Sequence, residues 1–189
     1  MSHAVGIDLG CTFVKGLAVT FRGKVLAETA ISTSAKGGWR KSVRTAYESL
    51  VKQVGAAPSA TGIAAPGLPS ADGTCIAYMP GRLPGLEGLV WQKFLKLPNA
   101  VPVLNDAQAA LLGEVWLGAA RRTRNAILLT LGTGVGGGAM VDGALLRGQI
   151  GRAGHLGHVS LNPDAPADVA KTPGSLECAI GDYTVSQRS

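Results

Sequence analysis

Aromatic residues are scarce in this chain, and glycine is abundant. Phe, Trp and Tyr make up only 5% of the 189 residues, whereas glycine occurs 27 times. The core is therefore expected to be aliphatic and the turns numerous. Hydrophobic residues still make up 46% of the chain, which is enough for a packed core and excludes a chain that is mainly disordered. The length suits one ordinary domain or two small ones.

Cysteines are few, and long apolar runs are absent. Cys11, Cys75 and Cys178 are far apart, odd in number and outside any CxxC motif. This pattern is typical of reduced thiols in a cytoplasmic protein. The chain does not open with a signal-peptide pattern, and its apolar runs are too short to span a bilayer. We therefore expect a cytoplasmic protein with no membrane partner.

The chain carries a formal net charge of +6, and much of the basic excess lies in residues 40–44 and 121–124. Such clusters can steer anionic ligands such as nucleotides towards a site. A solvated basic surface explains each cluster equally well. No aromatic residues are interleaved with the second cluster, so we expect no nucleic-acid partner.

Hydrophobic patterning predicts a mixed α/β fold. The predicted elements are strands at 4–9, 14–20 and 25–31, a helix over 40–54, a strand at 61–65, a short helix within 86–97, a strand at 101–104 and a helix over 107–117. Residues 67–88 are rich in Gly and Pro and predict a long loop. The basic connector 118–125 is the predicted boundary. Residues 1–118 then form an N-terminal α/β domain, and 119–189 begin a second, similar one.

The stretch 127–138 joins a short apolar run to glycine at nearly every second position. Glycine permits positive φ and close approach to a ligand, and consecutive amides in such a turn bind anions. A hairpin with a flexible tip is the alternative. The spacing Gly132-x-Gly134-x-Gly136 also resembles part of a dinucleotide fingerprint, but residues 139–143 predict a strand and tight turn, not a helix. We therefore expect a phosphate-binding hairpin.

The first strand ends in Asp8-Leu9-Gly10-Cys11-Thr12. The Asp8 carboxylate can orient a magnesium-bound water, and the turn amides with Thr12 can hold a phosphate. A strand that ends in a turn explains the motif equally well. Lys15 can reach a phosphate or extend into solvent.

Asn105 and Asp106 follow another predicted strand, which makes Asp106 the best catalytic candidate. A carboxylate at a strand end can accept the proton of a substrate hydroxyl that attacks phosphorus. The alternative role for Asp106 is an N-cap of the next helix.

Two imidazoles, His155 and His158, lie in a glycine-rich loop. They can belong to a metal site or bind a polyol, but no cysteine lies nearby at ligand spacing. Glu177 is either an acid favoured by the dipole of a helix start or a second sugar contact.

These motifs occur in a fixed order, at residues 8–12, 62–67, 105–114, 131–138 and 154–158. In that order they resemble the ROK family (repressors, open reading frames, kinases) of the actin-like ATPase superfamily, over essentially the whole chain. The resemblance implies two ribonuclease H-like domains, with a sugar between them and ATP with Mg²⁺ on the second.

The same resemblance implies roles for individual residues. Asp106 matches the catalytic base, Asn105 a sugar contact, and the Pro66-Gly67 turn the lining of the sugar pocket. The positions that match phosphate loops are Gly10, Thr12, Gly132, Thr133 and Gly134, and those that match sugar contacts are His158 and Glu177.

Three departures from the family pattern are visible. His155 stands where the family usually has Glu, and the family's zinc motif CxCGxxGC falls on residues 168–175, which contain no cysteine. A structural zinc is therefore not expected. Family members also continue well beyond the match to Glu177, so we interpret the chain as truncated, with deficient ATP binding, marginal stability and an uncovered sheet face in its second domain.

The leading hypothesis is an ATP-dependent kinase of a free hexose, glucose or a relative, and a homodimer is compatible with it. A non-catalytic sugar-binding ROK protein or fragment is one alternative. A polyphosphate-dependent sugar kinase is another, since it fits the basic clusters and the absent zinc motif.

Overall fold

The computed structural model of the protein describes residues 2–34, 36, 38–79 and 83–182. The chain divides into two compact units, Met1–Asp106 and Ala107–Ser189. The division precedes residue 118 because the helix that follows Asp106 packs on the sheet of the second unit. The domain limits 1–118 and 119–189 stay a prediction for the complete architecture, and residues 183–189 lie outside the described residues.

The first unit is built on one mixed sheet. Its elements are, in chain order, β1 (His3–Leu9), β2 (Phe13–Thr20), β3 (Val25–Ser32), α1 (Gly38–Val54), β4 (Ala60–Ala65), β5 (Leu68–Pro69), β6 (Ile76–Tyr78), α2 (Trp91–Leu95) and β7 (Val103–Asn105). The strand order is β3-β2-β1-β4-β7, with an antiparallel meander over β1–β3 and parallel pairing of β1, β4 and β7. The predicted strands and α1 are confirmed, with ends shifted by one or two residues.

Helix α1 covers one face of the meander. Strand β1 alternates so that Val5, Ile7 and Leu9 are buried, and they share one core with Val43 and Leu50 of α1. A Cβ at position 16 of β2 would lie 2.9 Å from Leu50 Cδ1, so the helix approaches the sheet closely over a glycine. Close packing of this kind is the main source of the unit's stability.

The first unit also contains an aromatic cluster that the expected aliphatic core did not include. Trp91 packs edge-on against Phe94 at 5.9 Å between ring centroids, and Trp39 lies 6.2 Å from Trp91. The Arg44 guanidinium lies 4.5 Å from the Phe94 ring centre, and Arg40 lies 5.4 Å from that of Trp39. The basic cluster at 40–44 therefore stabilises the unit through cation–π contacts.

The predicted loop over residues 67–88 was wrong in part. Strands β5 and β6 pair antiparallel within it. Asp72 holds their turn, because its carboxylate accepts hydrogen bonds from Ser70 Oγ at 2.6 Å and from the Thr74 amide at 3.1 Å. Strands of two and three residues are too short to show a period in the sequence. Residues 80–82 of this predicted loop lie outside the described residues.

The second unit contains a three-stranded antiparallel sheet. Its elements are α3 (Asp106–Leu117, whose first residue closes the first unit), β8 (Ala126–Leu131), β9 (Val135–Val141), β10 (Ala144–Leu145), a 3-10 turn (Leu156–His158) and α4 (Leu176–Ile180). The sheet order is β10-β9-β8. The tight turn predicted after β9 is confirmed, since Asp142 and Gly143 both have positive φ, 51° and 82°.

The glycines of β9 allow close packing on both faces. A Cβ at Gly136 would lie 3.1 Å from Ala107 Cβ, and one at Gly138 would lie 3.3 Å from Leu111 Cδ2, both in α3. A Cβ at Gly137 would overlap the carbonyl oxygen of Gly154 on the opposite face. Positive φ was the wrong reason for these glycines, because none of residues 132–138, all of which are described, has it.

Strand β8 exposes the apolar face that its counterpart in the first unit buries. Leu131 and Leu9 each end a strand and precede the glycine of a hairpin. The alternating residues Ile127, Leu129 and Leu131 are 71%, 45% and 68% exposed, whereas Val5, Ile7 and Leu9 are 1%, 2% and 0% exposed. Strand β1 is flanked by β4 and covered by α1, and β8 is an edge strand of the described sheet. In the part of the chain that the structure describes, this face of β8 is therefore exposed.

Candidate functional site

The carboxyl ends of three parallel strands meet at one edge of the first unit. Asp8 of β1 pairs with Ala64 of β4, and Ala65 pairs with Asn105 of β7. Asp8, the Pro66-Gly67 turn and Asn105–Asp106 are therefore brought together at this edge. In open α/β sheets this edge is the usual place for a ligand.

Asn105 holds the Pro66-Gly67 turn in place. Its side-chain amide donates a hydrogen bond to the Gly67 carbonyl oxygen at 3.2 Å, and Asn105 is buried. Gly67 has φ of 104°, and a Cβ there would lie 2.6 Å from both Met79 Cβ and the Tyr78 carbonyl oxygen. Only glycine fits this position. Sequence reasoning assigned Asn105 to the sugar and missed this supporting contact.

Asp106 is exposed and is the first residue of α3. The residue that flanks the helix is therefore Asn105, and Asp106 lies in the first helical turn, where the helix dipole favours a carboxylate. The N-cap alternative for Asp106 does not match these bounds. An exposed carboxylate at a strand end can reach a hydroxyl group of a bound substrate.

Asp8 lies close enough to Asp106 for their charges to interact. Burial raises the pKa of Asp8, the Asp106 carboxylate raises it further, and Lys15, its cross-strand partner, lowers it. Paired carboxylates repel each other and attract a hard divalent cation, which prefers oxygen ligands. The Asp8 carboxylate is therefore an oxygen ligand of the kind that Mg²⁺ prefers, and the neighbouring Asp106 adds negative charge.

Burial of the Asp8 carboxylate, together with repulsion by Asp106, predicts that ionised Asp8 destabilises the fold at neutral pH. Because its folded pKa is raised, the favourable contribution is complete only below the ordinary value of 3.8 and is lost as pH rises through the folded pKa. Asp8→Asn should therefore raise the unfolding temperature at pH 7 and change it little at about pH 3. Thermal unfolding at both pH values tests this, with Glu48→Gln on the exposed face of α1 as control. A variant less stable than the parent at pH 7 would contradict the expectation.

The turn after Asp8 is fixed by its own hydrogen bonds. The Gly10 amide donates to the Phe13 carbonyl oxygen at 3.1 Å, and Thr33 Oγ1 donates to the Gly10 carbonyl oxygen at 2.7 Å. A Cβ at Gly10 would lie 2.8 Å from that Phe13 oxygen. The Gly10 amide is thus committed within the turn, and Thr12 is the exposed polar group beside it.

In the second unit, Gly132, Thr133 and Gly134 form the tip between β8 and β9. The amide of Val135 donates to the Glu177 carboxylate at 2.9 Å, and a Cβ at Gly134 would overlap that carboxylate. The glycine therefore lets the Glu177 carboxylate approach the backbone, and phosphate binding by this hairpin stays a prediction. The sequence had left Glu177 as a helix-start acid or a sugar contact.

The histidine loop forms a pair that sequence reasoning missed. His158 Nδ1 lies 2.7 Å from Asp168 Oδ2, and His155 precedes the 3-10 turn that contains His158. Asp168 occupies the first cysteine position of the zinc motif described above. That position is the sequence feature that could have indicated its contact with His158. Within the described ranges, no group of three or more His, Cys, Asp or Glu side chains could hold a metal ion.

We expect the protein to contain no stoichiometric zinc. The zinc motif of the ROK family has three cysteines. At the matching positions this chain has a carboxylate, an alanine and a serine, and so it lacks the thiolates that structural zinc sites typically use. Elemental analysis of protein purified without chelator measures the zinc content. One zinc ion per chain would mean that His155, His158, Asp168 and Cys178 form a site.

No helix in the described part of the chain combines the length and the hydropathy needed to cross a membrane.

Comparison with known proteins gives consistent matches. The family model described as ROK family matches residues 4–183. A glucokinase of Thermotoga maritima is 34% identical over 188 residues, which cover 97% of this chain and 58% of that protein. The ROK hexokinase of Thermus thermophilus has a TM-score of 0.83 and 29% identity, over 98% of this chain and 62% of that one. A ROK family glucokinase from Streptomyces griseus, in complex with glucose and AMPPNP, has a TM-score of 0.83 and 26% identity, over 98% and 59%.

The chain therefore spans about three fifths of the length of these proteins, 58% of the glucokinase and 62% of the hexokinase. The structural matches confirm the predicted fold class, an α/β fold of the ribonuclease H-like, actin-like ATPase type.

Proposed function

Since the chain belongs to the ROK family, we propose that it forms the sugar-side domain and the first part of the nucleotide-side domain of an ATP-dependent sugar kinase. The substrate is a free hexose, glucose or a relative, and one of its hydroxyl groups is phosphorylated. The observation that carries this proposal is the exposed Asp106 carboxylate beside Asp8 and the Pro66-Gly67 turn at a single sheet edge.

Asp106 is the general base in this mechanism. It accepts the proton of the sugar hydroxyl as that oxygen attacks the terminal phosphoryl group of ATP. Positioning and electrostatic stabilisation account for most of the remaining catalysis in phosphoryl transfer, and the turn held by Asn105 would contribute by positioning the sugar. The proposed sugar contacts are Pro66, Gly67, Asn105, His155, His158 and Glu177.

Asp8 would hold Mg²⁺, with Asp106 as its neighbour. When bound, magnesium neutralises the charge of the transferring phosphoryl group. The proposed phosphate contacts are Gly10, Thr12, Lys15, Gly132, Thr133 and Gly134. The overlap of Glu177 with a Cβ at Gly134 supports the hairpin as a backbone site for an anion.

The test uses an extended chain, in which residues 1–182 continue into the segment that the Thermotoga maritima glucokinase has beyond its matched region. A coupled ADP-release assay is run with free hexoses and N-acetylhexosamines, with ATP or polyphosphate as donor. We expect sugar-dependent ADP release with ATP. Sugar binding measured by calorimetry without turnover would favour a non-catalytic sugar-binding protein. Turnover with polyphosphate but not with ATP would show that polyphosphate is the phosphoryl donor.

We expect the 189-residue chain by itself to bind ATP weakly. Ligand sites bury most of their ligand, and the tip of a phosphate hairpin by itself buries little of a nucleotide. In the described structure, the Val135 amide at the hairpin already donates its hydrogen bond to Glu177. Isothermal calorimetry should give a dissociation constant above about 1 mM, a binding free energy weaker than about −4 kcal/mol. Micromolar affinity would require an adenosine pocket built from residues interpreted as loop.

A further inference from the structure

One buried carboxylate connects the separate parts of the loop between β10 and α4. The Asp168 side chain is 0% exposed. Its Oδ1 accepts hydrogen bonds from the amides of Ala170 at 2.8 Å and Thr172 at 2.9 Å. Its Oδ2 lies 2.7 Å from His158 Nδ1, and the Ser175 hydroxyl also donates to this carboxylate. Four groups from different points of the loop thus meet at one side chain.

The direction of the hydrogen bond to His158 follows from this geometry. Oδ1 faces two amide N–H groups, so it can only accept, and the carboxylate cannot present its own proton there without losing them. Burial raises the pKa of Asp168, but the hydrogen bonds from Thr172, His158 and Ser175 outweigh burial and leave it below the ordinary value. An ionised carboxylate accepts only, so the proton between Asp168 and His158 resides on Nδ1.

We propose that Asp168 is a positioning residue: it fixes the Nδ1–H tautomer of His158, so that Nε2 is left as a hydrogen-bond acceptor for a ligand hydroxyl. The His158 side chain is 29% exposed, so a ligand can reach it. In neutral imidazole one nitrogen donates and the other accepts, and the partner of the first decides the role of the second. The identification of the ligand as a sugar rests on the proposed function. The assignment of the tautomer is independent of it.

The same carboxylate fixes the segment that begins α4. Ser175, which donates to Asp168, is the N-cap of α4, and its hydroxyl accepts from the Cys178 amide at 3.3 Å. The Leu176 amide donates to the Val159 carbonyl oxygen at 2.9 Å, next to His158. The Asp168 carboxylate therefore helps to fix the positions of both His158 and Glu177.

The tautomer is measured directly by ¹⁵N–¹H correlation of the imidazole of the 189-residue chain, with His158→Gln used to assign the signals. We expect a protonated Nδ1 and an unprotonated Nε2 in the parent protein. A protonated Nε2 with an unprotonated Nδ1 would overturn the proposal. A change of these signals on addition of a chelator would also overturn it, because a bound metal would then set the tautomer.

Asp168→Asn reverses the expected pattern. The amide oxygen can keep both backbone hydrogen bonds at Oδ1, while the amide nitrogen now donates to His158 Nδ1 and moves the imidazole proton to Nε2. An unchanged tautomer in a folded Asp168→Asn variant would overturn the proposal. Asp164→Asn, an exposed carboxylate in the same loop, is the matched control and should leave the imidazole signals unchanged. If Asp168→Asn does not fold, the spectrum of the parent chain still decides the tautomer.

The sugar part of the proposal has a separate readout. Titration of the extended chain with a sugar that it binds should perturb the Nε2 signal of His158 more than the Nδ1 signal. Asp168→Asn in that protein should weaken binding of that sugar by at least about tenfold, about 1.4 kcal/mol, because the ligand hydroxyl would lose Nε2 as its acceptor and would have to rotate its own proton away from it. Equal binding would overturn the acceptor role and leave the kinase assay unaffected.

Discussion

Replacement of Asp106 by Asn in the extended chain is expected to lower the rate of sugar phosphorylation by at least a hundredfold and to leave sugar binding nearly unchanged. The amide keeps the shape of the carboxylate but cannot accept the proton of the attacking hydroxyl, and general bases typically contribute on the order of 10² to 10⁴ in rate. The measurement is kcat in the ADP-release assay of the extended chain, with sugar affinity followed by calorimetry. The loss should appear in kcat because the base acts only as the proton moves.

The matched control for this variant is Glu48→Gln, which removes a carboxylate from the exposed side of α1. It should retain the parent rate. If Asp106→Asn keeps more than about a tenth of the parent rate, Asp106 is not the general base. A loss of sugar binding in the same variant would instead indicate a role in binding.

Two leucines at equivalent positions should differ greatly in their effect on stability. Leu9 ends β1 fully buried, and Leu131 ends β8 exposed, each just before a hairpin glycine. Leu9→Ala should cost about 3 to 5 kcal/mol, because it removes buried methyl groups and leaves a cavity between β1 and α1. Leu131→Ala should cost less than about 0.5 kcal/mol, as is usual at exposed sites.

Urea unfolding of the 189-residue chain, followed by tryptophan fluorescence, measures both effects. All three tryptophans of the chain, Trp39, Trp91 and Trp116, contribute to the signal, and the first two lie in the first unit near the core that Leu9 joins. A large loss for Leu131→Ala would mean that its face is covered in solution, by a second copy of the chain or by other residues. Sedimentation at several concentrations would then separate these two explanations.

Much of the first unit could be predicted from the sequence, because its strands are long enough to show a period of two. Val5, Ile7 and Leu9 alternate clearly, and α1 has helical spacing over more than four turns. The hairpin β5–β6 could not be predicted, since its strands are too short for any periodicity and are held by Asp72. Composition also concealed the aromatic cluster, because few aromatic residues can still be gathered at one place.

The candidate site was predicted unevenly. The sequence showed that two strands end in polar residues, at Asp8 and at Asn105–Asp106. The parallel pairing that brings these ends and the Pro66-Gly67 turn to one edge is visible only in the structure. Hydrogen bonds between residues that are distant in sequence have no local signal. The contact of Asn105 with Gly67 and that of Glu177 with Val135 span 38 and 42 residues. The sequence therefore indicated ligand contacts for Asn105 and Glu177 but not their hydrogen bonds within the protein.

The packing of β9 has a consequence for how such sequences evolve. Gly136, Gly137 and Gly138 are required because α3 and the loop at Gly154 press on the strand from opposite faces. A side chain at these positions would crowd the strand whether or not the protein transfers phosphoryl groups, so selection for folding alone favours the motif. The glycine-rich motif therefore indicates the fold and not the activity. Whether such a protein is an enzyme has to be judged at residues that packing does not require, and Asp106 is the first of these.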